Sequence, residues 1–312
     1  MVTGWLSWIG ARARWILLIG AFGGLAFPAG SAVLRPLLPY LVAVVYAVAM
    51  LRIDPIMILK GLMNLRRALS AAAVSFGILV IAPLVAFGLA RALGLGPDYE
   101  AVLVYTLTAP PIASAAALCL IIGFDARVAL ELTVVTSLAM PFTGPAVAGL
   151  LLGDALALDP VALGLRMAAM IFGGFVLAML GRRLFGVARI ERNAAALDGL
   201  AALVFLAFVM SVFDGIGPNI LAHPGRSLAY LALATLLVLG GGALVRFAPG
   251  APMRNGALGI VWGTRSVAIY LAALPPDPLF ALYVGLYQFP MAAIVMVFRR
   301  VKPGGGADGK AP

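Results

Sequence analysis

Residues 109–125 read APPIASAAALCLIIGFD, an apolar run broken by two adjacent prolines, and residues 263–277 read GTRSVAIYLAALPPD, a similar run that holds an arginine. Pro110 and Pro111 supply no backbone N–H and their rings clash with the preceding turn, so a helix passing through them must break. In a hydrocarbon layer a broken helix persists only where protein or a watery cavity satisfies the freed backbone groups. Many secondary transporters build their substrate and ion sites at such breaks near the bilayer midplane. The two stretches predict a membrane protein organised around two interrupted helices, with the rest of the chain as scaffold.

Composition agrees. The chain has 312 residues, of which 63% are hydrophobic and 11% charged, with a mean hydropathy of +1.10; soluble domains carry about 25% charged residues. The net charge of +10 does not point to nucleic acid, because the basic residues punctuate apolar runs rather than clustering in a polar domain. Cys119 is the single cysteine and His223 the single histidine, which excludes a disulfide framework and a cysteine metal site and leaves His223 as a loop residue. The opening MVTGWLSWIGARAR lacks the order of a cleaved signal and reads as an interfacial lead-in.

With about twenty apolar residues needed per crossing, the chain divides into about ten spans. They are expected near Trp15–Pro28, Leu34–Leu51, Ala68–Leu93, Ala101–Ile122, Val128–Leu152, Val161–Leu180, Ala195–Phe213, Ser227–Val245, Pro252–Leu274 and Leu279–Phe298. With the N-terminus inside, Lys and Arg fall mostly on inner segments and leave only Arg35, Arg91, Arg166 and Arg226 outside, which puts both termini in the cytoplasm. The expected membrane is a bacterial inner membrane.

The halves look alike. Each has an early basic loop, a broken fourth element, an Asp about fifteen residues on (Asp125 and Asp277) and a fifth span with an internal proline (Pro141 and Pro290). Five is odd, so the second copy enters the membrane from the opposite side, as in the inverted repeats of alternating-access transporters. The expected organisation is all-α: residues 1–14 a cytoplasmic segment, 15–152 a first five-helix repeat, 161–298 a second, inverted one, and 299–312 a flexible tail.

At the double-proline stretch, through Asp125, along TVVTSLAMPFTGP (Thr133–Pro145) and again at Gly263–Leu274, the chain resembles the bile acid:sodium symporter family. The resemblance implies a panel of spans one, two, six and seven beside a core of spans three to five and eight to ten. It also implies a coupling ion at the crossing of spans four and nine, and a substrate between panel and core. The ion ligands are altered. Where the family has a Ser-Asn pair stand Ala115 and Ala116; where it has Glu before Gln-Asn stand Val261, Arg265 and Ser266. Only Thr133 and Ser266 carry over as ligands, and hard cations want several oxygens. Ordinary two-sodium coupling is therefore expected to be absent. Arsenite exporters of the same superfamily carry a cysteine where Pro111 stands here, which argues against that activity.

Arg265 lies near the centre of its span, where a charge is disfavoured by about 2.5–3.5 kcal/mol on insertion scales and is functional by default. It either binds an anionic substrate, stands as a fixed cation in sodium's place, or caps carbonyls freed by the break. Glu131 is its candidate charge partner, which would allow proton coupling; the competing reading pairs Glu131 with Arg127 one turn earlier. Thr133, Thr136 and Ser137 share a helix face expected to point at the site. Ser114, near the start of a half-helix, joins Thr264, Arg265 and Ser266 in an anion-friendly centre, with Gly263 permitting close approach or a kink. Asp198 and Asp214 are weaker candidates for lining a cavity.

These readings favour a secondary transporter of a small organic anion with no cofactor and with a lipid bilayer as its surroundings. The alternatives are a non-transporting sensor on the same scaffold and a sodium symporter with atypical ligands. An enzyme would need a nucleophile with its base, or a metal set, and neither is visible.

Overall fold

The computed structural model describes residues 2–11, 23–25, 27–51 and 63–298. Most of the expected first span, Arg52, Lys60 and the tail from Arg299 lie outside them. The described residues are all-helical, with no strand beyond one isolated bridge between Pro111 and Arg265. In order they form α1 (Val2–Ala11), α2 (Pro28–Leu51), α3 (Leu65–Ala92), α4 (Pro97–Thr108), α5 (Ala115–Ile122), α6 (Ala126–Leu152) and α7 (Pro160–Phe185). There follow α8 (Val187–Arg192), α9 (Ala194–Val212), α10 (Ile216–Ala222), α11 (Pro224–Phe247), α12 (Pro252–Gly263), α13 (Ala268–Ala273) and α14 (Pro278–Val297).

Among the described residues, 6 helical stretches are long and apolar enough to cross a membrane, namely α2, α3, α6, α7, α9 with α10, and α11. Many of the helices start in the same way. A proline opens α2, α4, α7, α11, α12 and α14, where its missing N–H is no loss. Side-chain oxygens of Asn64, Asp125, Asp159 and Asp277 accept backbone N–H groups at the starts of α3, α6, α7 and α14. Both α3 and α11 contain a π-helical turn, at Gly77–Ile81 and Leu236–Gly241.

Prolines act differently according to spacing. Pro141 and Pro145 sit inside an unbroken α6, and Pro290 inside α14, because each isolated proline removes one helical hydrogen bond. Pro110 and Pro111 remove two successive donors, and Ala109 turns extended (φ −69°, ψ 144°), as a residue before proline prefers. The second interruption, after Gly263, has no proline; the chain leaves the helix at Thr264 (φ −111°, ψ 73°).

The helices fall into two groups. Helices α1, α2, α7 and α9 pack on one another, while α3–α6 pack with α11, α12 and α14. The groups meet where α7 lies on α6 and where α13 touches α2 and α7. The α6–α7 contact is close enough that a Cβ on Gly164 would stand 2.7 Å from the Pro141 carbonyl oxygen.

Candidate functional site

The two interruptions meet and pair. Ile112 N–H donates to the Thr264 carbonyl at 2.7 Å and Ser266 N–H donates to the Pro110 carbonyl at 2.8 Å, an antiparallel bridge one residue pair long. Each break thus satisfies backbone groups that the other exposes, as membrane depth requires. Pro110, Pro111, Thr264, Arg265 and Ser266, picked out from the sequence as helix-break and site residues, all belong to this crossing.

Arg265 completes it. The side chain is buried, with 2% of the residue's surface exposed. Its Nε donates to the Trp262 carbonyl at 2.9 Å and its Nη1 to the Ala109 carbonyl at 3.1 Å, and the guanidinium lies 5.4 Å from the centre of the Trp262 ring. Both carbonyls lost their helical partners at the breaks. Ser266 N–H, which an unbroken helix would give to Trp262, goes to Pro110 instead. One cation therefore joins the last carbonyl before the first break to a carbonyl at the end of α12. Nη2 has no partner among the described residues.

Glu131, the candidate charge partner of Arg265, pairs instead with Arg127, as the reading from their spacing has it. It accepts from Arg127 Nε at 3.1 Å, because the two stand one turn apart at the exposed start of α6. Among the described residues no carboxylate pairs with Arg265, so the crossing carries a positive charge held by neutral oxygens.

Four tyrosines that the sequence did not single out carry the rest of the network. Tyr287 Oη accepts from Arg265 N–H at 3.1 Å and donates to the Gly263 carbonyl at 3.1 Å, replacing part of the missing helix ladder. Tyr46, on α2, lies 3.4 Å from Ser137 Oγ on α6, so α2 reaches the buried threonine and serine face from the other helix group. Tyr270 and Tyr283 bond the hydroxyls of Thr108 and Thr106 on α4 at 2.6 and 2.9 Å. Tyr283 and Tyr287, four apart in an apolar helix, were the available signal: tyrosines buried on one face need polar partners.

Thr133, Thr136 and Thr264 are fully buried, and their hydroxyls donate to carbonyls one turn back, Ala129, Leu132 and Ile260, at 2.7, 2.6 and 2.7 Å. Only their lone pairs remain to meet a ligand. Gly263 ends α12 and serves close approach: a Cβ there would overlap Ile294 Cδ1 and stand 2.9 Å from the Val238 carbonyl oxygen.

Tyr270→Phe is a clean test of the network, because the ring contact with Tyr105 at 4.7 Å survives while the hydroxyl bond goes. The expected loss is about 1 kcal/mol, read as a fall of a few degrees in Tm.

Ser114 stands apart. It borders a cavity of about 490 Å³ between α2, α5, α6 and α9, whose walls include Val45, Leu120, Phe205, Arg127 and Asp198. The walls are mostly apolar, and the uncapped start of α5 opens into them at Ser114 and Ala116. Arg265 does not line this cavity, so the sequence-derived site divides in two: a charged crossing and an adjacent chamber that holds Ser114 and Asp198.

The chain matches no protein-family model and no curated protein. Function is therefore argued from the geometry of these two places.

Proposed function

We propose that this protein is a secondary-active, alternating-access membrane transporter of a small organic anion, built like bile acid:sodium symporters, in which Arg265 stands where a coupling sodium would sit. The observation that carries the reading is the buried guanidinium bound to carbonyls of both interrupted helices. Carbonyl oxygens freed by broken helices are the groups that bind sodium in transporters of this kind of architecture. A guanidinium already bonded to them supplies the positive charge permanently, so transport proceeds without the usual two sodium ions.

The chamber supports a substrate with an apolar body. Val45, Leu120 and Phe205 would meet that body, while Ser114, the N–H groups at the start of α5 and Arg127 would meet an anionic end. On the orientation expected from the basic residues, the chamber lies towards the cytoplasm. At the other end Arg166 Nη1 donates to the Ala273 carbonyl at 2.9 Å, at the end of α13, and α7 lies tightly on α6. A chamber towards one end and a close helix contact towards the other are compatible with one state of an alternating-access cycle.

A ten-span inverted repeat belongs to the same reading. Its support is a recurring order: a helix with a π turn (α3, α11), a 12-residue helix opened by proline and ended by an interruption (α4, α12), and an Asp-capped helix with an internal proline (α6, α14). A proton route through Glu131 and Arg265 is disfavoured, since Glu131 faces Arg127.

The test is Tm of the detergent-purified full chain in sodium against potassium at matched ionic strength, with carboxylates and sulfonates of graded apolar size, followed by uptake into proteoliposomes. Sodium is expected to give no specific shift, and apolar anions a concentration-dependent rise. Sodium-specific stabilisation, or uptake that follows a sodium gradient, overturns the built-in cation.

A further inference from the structure

A second cleft, of about 280 Å³, lies between the start of α3, the start of α6 and the start of α12 and meets the chamber only at Arg127. Its polar walls are Arg67, Ser70, Arg127, Arg254, Asp125 and Glu131. The carboxylates are already engaged: Asp125 accepts the Arg127 and Val128 N–H groups, and Glu131 pairs with Arg127. Among the described residues no carboxylate pairs with Arg67 or Arg254, and Arg254 Nη2 donates to Ser70 Oγ at 3.0 Å.

The fold supplies its own comparison. Helices α4 and α12 are both 12 residues long, both open with proline and neither has a side-chain cap. The first turn of α4 carries Asp98 and Glu100, and both are paired, Asp98 with Arg226 of α11 at 3.0 Å and Glu100 with Arg91 at 3.5 Å. The first turn of α12 carries no acid, and Arg254 stands there instead, with Arg67 of α3 across the cleft. A helix start is electropositive and is favoured by a negative group. At α4 the protein provides that group; at α12 it provides two guanidinium forks, a hydroxyl and a helix start without a side-chain cap.

We infer that this cleft is a phosphate-binding site, in which an anionic phosphate group sits between Arg67 and Arg254 at the start of α12 and takes the place that Asp98 holds at α4. Guanidinium forks match phosphate oxygens two at a time, and Ser70 Oγ adds a hydroxyl donor. The phosphate comes either from a free phosphate compound or from the headgroup of an anionic lipid lying along the basic end of the bundle. The inference does not rest on the transport reading: Arg127 borders both the cleft and the chamber, but Arg67 and Arg254, which hold the phosphate, line only the cleft.

Two arms separate the sources, both on the full-length protein in detergent. Inorganic phosphate is titrated against chloride at matched ionic strength, and phosphatidic acid micelles are compared with phosphatidylcholine micelles. One arm is expected to raise Tm by about 2 °C or more with saturation, and Arg67→Gln/Arg254→Gln is expected to lose that rise. Arg254→Glu guards against misfolding: it recreates beside Arg67 the ion pair seen at Asp98, so it is expected to match or exceed the wild-type Tm without phosphate and to ignore phosphate. The site is overturned if neither arm shifts the wild type, or if the variants respond as the wild type does. Organic anions that stabilise or are transported while both arms fail would sink this site and leave the transport reading standing.

Discussion

Arg265→Met is expected to abolish transport while changing stability little. The substitution removes two charge-assisted hydrogen bonds, to Ala109 and Trp262, each worth about 1.5–3 kcal/mol. It also removes the desolvation penalty of a buried cation, which is several kcal/mol after relaxation. The two terms are comparable, so the net change is expected to stay within about 2 kcal/mol, and a thioether chain of similar length fills the space. Function has no such compensation. Without the guanidinium the two interrupted helices lose the charge at their crossing, and uptake of an anion that stabilises the wild type is expected to fall at least a hundredfold, the equivalent of about 2.7 kcal/mol. Arg265→Ala leaves a hole lined by the same carbonyls, and millimolar guanidinium should restore part of the activity. Near-wild-type uptake by the methionine variant would show that Arg265 only caps carbonyls.

Gly263→Val is expected to be among the most damaging single changes in the chain. The new Cβ overlaps Ile294 Cδ1 and stands 2.9 Å from the Val238 carbonyl oxygen, closer than side-chain carbons approach backbone oxygens. Overpacking of this kind costs about 1–3 kcal/mol when neighbours can move. Here one neighbour is backbone within the π turn of α11, so the loss is expected at or above the top of that range. Ile294→Val shows which contact dominates. It deletes the overlapping methyl, so the double variant should recover some Tm but remain below Ile294→Val alone, because the Val238 oxygen does not move. Full recovery would place the whole strain on the side chain.

The helical membrane character was legible in composition, and the first interruption was legible in Pro110 and Pro111, because adjacent prolines act locally whatever surrounds them. The second has no proline to mark it and was expected near Gly263 from the likeness of the two halves and the resemblance to bile acid:sodium symporters. The helix starts at Asp125 and Asp277 also follow from short-range hydrogen bonding. The pairing of Glu131 with Arg127 was likewise favoured by their four-residue spacing near the start of a span, and the structure has that pair at the start of α6. The face shared by Thr133, Thr136 and Ser137 is buried as a unit, but the sequence had no means of showing that Tyr46 of α2 would be the group meeting Ser137.

By itself, then, the sequence determined the apolar helical character of this chain, where the first interrupted helix breaks, and that a cation lies inside a second apolar run, since these follow from hydropathy, missing backbone donors and residue identity. Tertiary structure alone decided that the two breaks pair with each other, that Arg265 spends its donors on Ala109 and Trp262 rather than on a carboxylate, and that Ser114 opens into a separate chamber. Those outcomes depend on groups far apart in the chain, 156 positions for Arg265 and Ala109, and contacts of that range are set by how whole helices pack rather than by any local pattern.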